Sequence, residues 1–415
     1  MKIRQVRSSR ATTVLVVLGT RPEAIKLAPV ITELRCHRDV TTRVCVTGQH
    51  REMVQPILEL FDVRPDVDLA LMTPDQRLSS LTAAALMRLE EVIVSTAPDW
   101  VVLQGDTTSA MSAALAAFYR RVPVAHVEAG LRTHDLARPF PEEANRRIAD
   151  ALATVHFAPT ELARRNLLRE GVDNSTIYVT GNTVVDALLT VGGMPEDGLS
   201  GPLACLPANR RIILMTAHRR ESFGRGLRDV CQAVREIVDA IPDVQCVYPV
   251  HLNPNVQEPA RAILAGHERI SLIPPLDYVS LVHLMRRSTL ILTDSGGLQE
   301  EAPTFGKPVL VLRDLTERPE AVEAGCARIV GTDRRVIVSA ALELLNDRSA
   351  YDRMAKIANP FGDGHASKRI VRVLRNWPVA GANPRGADLA RAVKATDAVR
   401  EERIAALTGQ PGMDD

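Results

Sequence analysis

The chain lacks a surplus of either charge: 51 Lys and Arg stand against 50 Asp and Glu, a net of +1. A near-neutral protein has no electrostatic footprint for nucleic acid or for an anionic membrane surface, so the expected partner is a small molecule. Long hydrophobic runs are missing as well. No stretch approaches the roughly 18 consecutive apolar residues a membrane span needs. After the basic leader Met1 to Arg10, the apolar segment Val14 to Leu18 is too short for a signal peptide before Gly19-Thr20-Arg21-Pro22 interrupts it. Cysteine is sparse and unpatterned. Cys36, Cys45, Cys205, Cys231, Cys246 and Cys326 form no C-x-x-C pair, and no His stands at a zinc-ligand spacing. Neither a metal site nor a redox pair is expected, and buried reduced thiols in a soluble cytoplasmic enzyme account for them.

The glycine signatures of the common nucleotide cofactors are absent too. No G-x-G-x-x-G follows the first strand, where Gly19-Thr20-Arg21-Pro22 has a single glycine, and Gly224-x-Gly226 lacks its third. Gly306-Lys307 is not preceded by a P-loop glycine, since Glu301 stands in that place. Nicotinamide and P-loop chemistry are disfavoured, and no cofactor is expected. His126-x-Glu128 resembles the start of a zinc deaminase signature, but its Pro-Cys-x-x-Cys is missing.

What is present is a βα rhythm. The 415 residues are enough for two or three domains at about 150 each. Short Val-, Ile- and Leu-rich runs recur, each followed by a turn and an amphipathic segment, as in parallel sheets buried on both faces. Strands are expected at Thr13–Leu18, Arg43–Thr47, Trp100–Gln104, Val122–Val127, Val155–Ala158 and Ile177–Thr180. A second series follows at Arg211–Thr216, Gln245–Val250, Arg269–Ile273, Leu290–Thr293, Val309–Leu312 and Arg328–Val330. Between the two, Val191 to Asn209 is rich in Gly and Pro and reads as a linker. The fold class is α/β, with two doubly wound Rossmann-like domains. Pro378 to Asp388 is loose in composition, and Leu389 to Leu407 has a charged helical period.

Open parallel sheets bind ligands beyond the carboxyl ends of their strands. Asp294-Ser295-Gly296-Gly297 follows one such strand and offers main-chain N–H groups and a hydroxyl suited to a phosphate; an ordinary serine-capped turn would look the same. Arg21, Lys26 and Arg318 could supply counter-charge to a diphosphate. Asp106, Glu128 and Glu142 stand at strand ends or helix starts, where converging carboxylates raise one another's proton affinity and serve acid–base work. Equally, Asp106 could cap the helix after it and Glu142 could serve a helix dipole. Glu142 and Glu143 lie about 100° apart on a helix, so at most one can point squarely into a cleft, and Glu300 and Glu301 obey the same geometry. His218, after Arg211–Thr216, is placed to exchange protons near neutral pH.

Nine segments in order complete the reading. They are Gly19-Thr20-Arg21-Pro22-Glu23-Ala24, Thr47-Gly48-Gln49-His50-Arg51-Glu52-Met53, Gln104-Gly105-Asp106-Thr107, His126-Val127-Glu128-Ala129-Gly130-Leu131-Arg132, Pro141-Glu142-Glu143-Ala144-Asn145-Arg146, Thr180-Gly181-Asn182-Thr183, Ala217-His218-Arg219-Arg220-Glu221, Asp294-Ser295-Gly296-Gly297-Leu298-Gln299-Glu300-Glu301 and Arg318-Pro319-Glu320. Together they resemble the non-hydrolysing UDP-N-acetylglucosamine 2-epimerases, over about Thr12 to Asn376. The chain departs from that pattern at Asp75, Arg77 and Phe140.

The resemblance implies a GT-B-like architecture with the active site in the interdomain cleft. It implies a discontinuous first domain (12–188 and 362–377) and a UDP-binding second domain (189–361), while the tail, read from its composition as an appendage (378–415), lies outside the match. It implies reversible epimerisation of UDP-GlcNAc and UDP-ManNAc through UDP elimination to 2-acetamidoglucal and re-addition. The positions it carries over are Asp106, Glu128, Glu142 and His218 for proton transfer. Arg21, Lys26, Ser295, Gly296, Gly297 and Arg318 would hold the diphosphate, and Glu301 the ribose. A second UDP-GlcNAc near Gln49 as activator and a cytoplasmic homodimer are implied as well. A hydrolysing relative, a GT-B glycosyltransferase and a nucleotide-sugar sensor are the alternatives.

Overall fold

The structure is a computed structural model and describes residues 11–48, 51–73, 76–195, 207 and 209–377. Gln49, the leader, most of the expected linker and the chain after 377 lie outside the described residues. The chain through Arg375 forms one compact unit.

That unit contains two parallel sheets. The first holds β1 (Thr12–Leu18), β2 (Val40–Val46), β3 (Val67–Asp68), β4 (Trp100–Gln104), β5 (Val124–Val127), β6 (Val155–Ala158) and β7 (Ile177–Val179), in the order β3-β2-β1-β4-β5-β6-β7. The second holds β8 (Arg211–Thr216), β9 (Val244–Pro249), β10 (Ile270–Ile273), β11 (Leu290–Thr293), β12 (Val309–Val311) and β13 (Ala327–Ile329), in the order β10-β9-β8-β11-β12-β13. Both orders reverse at the central pair, β1/β4 and β8/β11, and this switch is where doubly wound sheets open a crevice for ligands.

All the strands expected from the sequence form, differing only at their ends. The short β3 was not expected, because Val67–Asp68 carries no apolar run; it forms by adding to Cys45 and Val46 of β2. The central strands are buried along their length, Trp100 to Gln104 for example, because helices cover both faces. The expected linker begins late. Val191 and Gly192 still belong to the helix Thr183–Gly192 and are buried there.

After the second sheet the chain returns to the first half. The helix Ala366–Asn376 buries Ala366, Ile370, Val371 and Leu374, one face at helical spacing. Its start is held by Asp186, whose carboxylate accepts from the Ser367 N–H at 2.8 Å, the Ser367 hydroxyl at 2.5 Å and the Ala366 N–H at 3.2 Å. Arg369 donates to the Thr180 carbonyl at 3.0 Å, and Arg375 pairs with Asp39 at 2.9 Å.

Asp186→Ala strands buried donors at the start of this helix, and the expected loss is about 3 kcal/mol of unfolding free energy. Arg375→Ala removes an exposed pair and should cost within about 1 kcal/mol. Urea denaturation of the two variants checks the difference; equal losses would place the attachment elsewhere.

Candidate active site

The segments after β1 and β5 face the segments after β11 and β12: Lys26 and Glu128 interact with Glu300 and Arg318. After β1, Gly19 sits where a Cβ would lie 2.2 Å from the Thr47 hydroxyl and 2.7 Å from that of Ser109, so a side chain is excluded. The chain then enters the helix Arg21–Arg35 through Glu23, whose buried carboxylate accepts from the Gly19 N–H at 2.9 Å, the Thr20 N–H at 2.7 Å and the Thr107 hydroxyl at 2.7 Å. One side chain thus fixes the turns after both β1 and β4. Burial raises its pKa against those hydrogen bonds. Glu23 stands in the first of the nine segments without a role of its own there, although a Glu three residues after a Thr is a helix-start signal.

Asp106 does not cap the helix after β4. Thr107 does, accepting from the Ala110 N–H at 3.0 Å. Asp106 is left to pair with Arg146, and its carbonyl accepts from Asn145 at 3.0 Å. Of the two neighbouring glutamates, Glu143 is buried, accepting from the Thr133 N–H at 3.0 Å and pairing with Arg147 at 3.0 Å. Glu142 opens the helix Glu142–Leu152, and its buried Oε2 has no hydrogen-bond partner.

Glu128 follows β5 with φ of +67°, a left-handed conformation costly for a residue with a side chain. Its carboxylate is 8% exposed with its backbone, yet three donors reach it: Lys26 at 2.5 Å, Asn182 at 2.9 Å and Gln104. Burial works against its charge, but Lys26, Arg318 and Asn182 outweigh it and hold the pKa below the ordinary value. Lys26 is itself kept protonated, burial being overcome by Glu128 and Glu300. Lys26 therefore meets a carboxylate before any phosphate.

On the second half, His218 follows β8, its N–H donating to Asp294 at 2.5 Å and its Nδ1 lying 3.2 Å from the same carboxylate. Its ring stacks on His251 at 5.5 Å. Burial lowers its pKa, with Arg219 and His251 adding and Asp294 opposing, so the neutral ring prevails at pH 7. Asp294 also accepts from the Arg219 N–H at 2.7 Å and so braces the β8 turn. Ser295 makes no side-chain cap to the helix Gly296–Glu301, which leaves its hydroxyl free for a ligand. A Cβ at Gly296 would lie 3.8 Å from the Arg318 guanidinium, so that turn and Arg318 adjoin.

Glu300 and Glu301 divide as the helix geometry requires. Glu300 pairs with Arg318 and accepts from Asn182 at 2.8 Å. Glu301 faces Lys26 and Arg21, and burial with the neighbouring Glu300 pushes it up to about 8. Beside it, the buried Tyr278 hydroxyl has no partner, and burial and Glu301 raise its pKa while Arg21 opposes. No sequence pattern singles out Tyr278. Asn182, the donor to both Glu128 and Glu300, stands in the segment Thr180-Gly181-Asn182-Thr183, but no local pattern assigns it that task.

Comparison with known proteins agrees on one family. The family model described as UDP-N-acetylglucosamine 2-epimerase matches residues 32–375. A UDP-N-acetylglucosamine 2-epimerase of Yersinia pestis is 52% identical over 372 residues, covering 88% of this chain and 99% of that protein. The crystal structure of a UDP-GlcNAc 2-epimerase from Neisseria meningitidis bound to UDP-GlcNAc is 46% identical, with a TM-score of 0.80 over 88% of this chain and all of that one (100%). A glycotransferase of kitacinnamycin, 13% identical with a TM-score of 0.58 over 88% of this chain and 99% of its own, shares the fold alone.

Glu301 gives a pH prediction for the ligand-free protein. Its folded pKa of about 8 lies above the ordinary carboxyl value of 4.5, so the native state binds the extra proton between those values. Stability falls as pH rises through that window. Glu301→Gln removes the titration, and the variant should gain melting temperature over the parent as pH moves from about 5.5 to 8.5. A constant difference across that range would show that Glu301 titrates normally.

Proposed function

The chain belongs to the UDP-N-acetylglucosamine 2-epimerase family, and from that premise we propose that its residues invert C2 of UDP-GlcNAc to give UDP-ManNAc by the following route. A base removes the C2 proton, the C1–O bond breaks with its electron pair leaving on UDP, and 2-acetamidoglucal remains. UDP then re-adds to C1 through its diphosphate oxygen while C2 takes a proton on the opposite face. The protein is an isomerase, and the whole reaction is redox-neutral.

The C2 proton is weakly acidic, so departure of the diphosphate must be made favourable. Arg21 from the first half, with the Ser295–Gly297 turn and Arg318 from the second, form the proposed diphosphate cradle, and Lys26 adds charge to it. Glu301 and Tyr278 would receive the ribose hydroxyls; a protonated Glu301 donates one hydrogen bond and accepts another. Inversion needs proton carriers on both sugar faces, and Asp106, Glu128 and Glu142 from the first half with His218 from the second supply them. The observation that carries this reading is Glu128: a charged carboxylate in a left-handed backbone conformation, opposite the Arg318 and Gly296 cradle.

A second UDP-GlcNAc would act as activator, with Gln49 as its candidate contact, on the strength of the family resemblance. A homodimer is supported by Met87 and Val94 on one helix and Phe118 and Tyr119 on its neighbour, all exposed, a face that a second copy would cover. A cytoplasmic location is supported by five unpaired thiols among the described residues. No helix among the described residues is long and apolar enough to cross a membrane.

Proton NMR of the protein with UDP-GlcNAc in D2O is the test. UDP-ManNAc carrying deuterium at C2 is expected; free ManNAc with UDP would instead support the hydrolysing reading. Asp106→Asn and His218→Ala should each lose at least about 10²-fold in turnover with unchanged circular dichroism. Wild-type rates in either would remove that residue from the site.

A further inference from the structure

Asn182 stands where the chain crosses between the two halves. Its main-chain N–H donates to the Phe361 carbonyl of the returning segment at 2.6 Å, and its Oδ1 accepts from the Val184 N–H at 3.1 Å to cap the helix Thr183–Gly192. Both hydrogens of its amide are spent on carboxylates, one on Glu128 of the first half at 2.9 Å and one on Glu300 of the second at 2.8 Å. The side chain is 3% exposed with its backbone, so water cannot replace either bond. Glu300 in turn pairs with Arg318. The amide is thus the one neutral link in a line running Lys26, Glu128, Asn182, Glu300, Arg318.

We propose that Asn182 is a positioning residue that fixes the Glu128 carboxylate in register with the second half, so that Glu128 is fully held only when Glu300 and Arg318 are seated beside it. The proposal rests on the reading of Glu128 as a proton carrier at C2. An asparagine suits the task because it offers two donors to two anions and keeps an acceptor for the helix start. A hydroxyl offers one donor, and a carboxylate offers none while adding a third negative charge between the other two. The charged and titratable groups facing Glu128 are Lys26 from the first helix, Arg318 and Glu300 from across the cleft; Gln104 from the end of β4 and Asn182 complete its neutral contacts.

Asn182→Asp is nearly isosteric and retains the cap; Asn182→Ser retains the cap without the charge. In Asn182→Asp the Glu128 carboxyl should titrate at least about one pH unit higher, about tenfold in ionised fraction at fixed pH. In Asn182→Ser the rise should be smaller. The reading is the carbon-13 carboxyl NMR titration of ligand-free, glutamate-labelled full-length protein, with Glu128→Gln identifying the resonance. The pH limb of kcat should move with it, while KM for UDP-GlcNAc changes less than kcat. A merely structural asparagine would lower the melting temperature and leave both titrations in place. A folded variant, Asp or Ser, in which Glu128 titrates as in the parent overturns the proposal. A shifted Glu128 titration in a protein that does not epimerise UDP-GlcNAc would overturn the functional reading and uphold the coupling.

Discussion

Glu128 bears a charge in a place water barely reaches, and much of the cleft is arranged to meet the cost of keeping it there. Removing a carboxylate from water costs several kcal/mol unless opposite charge and hydrogen bonds replace the lost hydration. Lys26, Gln104 and Asn182 do so from three different elements. Each is held in turn: Lys26 by a helix whose start Glu23 ties to two strand ends, Gln104 by the buried end of β4, Asn182 by the returning segment at Phe361. The requirement of one ion pair therefore fixes the geometry of the crossover between halves.

The two halves divide the work according to what their strand ends supply. The first half contributes carboxylates and the cations that balance them. The second contributes a turn of small residues with an unengaged serine hydroxyl, an arginine and a neutral histidine braced by Asp294. Lys26 and Arg21 of the first half already act on Glu300 and Glu301 of the second, so the charges of the two halves are not separable. Buried polar atoms in native proteins nearly always find partners. Glu142 Oε2 and the Tyr278 hydroxyl are among the described atoms that lack them.

Parallel sheets, their strands and the location of chemistry at strand ends were legible in the sequence because each follows from short-range pattern: apolar runs of strand length, turn residues after them, amphipathic helices between. The order of motifs carried the family. β3 escaped because two residues without an apolar run have no pattern to read, and pairing with β2 alone makes them a strand. Which of two adjacent glutamates faces the cleft followed from helix geometry only as a choice, not as an answer. Packing chose: Glu143 satisfies the Thr133 turn and Arg147, while Glu142 is left without a partner at Oε2.

The sequence by itself determined the architecture, the strand-end residues available for chemistry and the kinship that names their substrate class. Only the tertiary structure decided partners. That Lys26 meets Glu128 and that Asn182 bridges Glu128 and Glu300, 54 and 118 residues from it in the chain, are contacts between distant segments, and the fold leaves Thr107 rather than Asp106 to cap a helix. Local pattern records propensity within a few residues, whereas a buried charge is balanced by whatever the fold brings within about 3 Å.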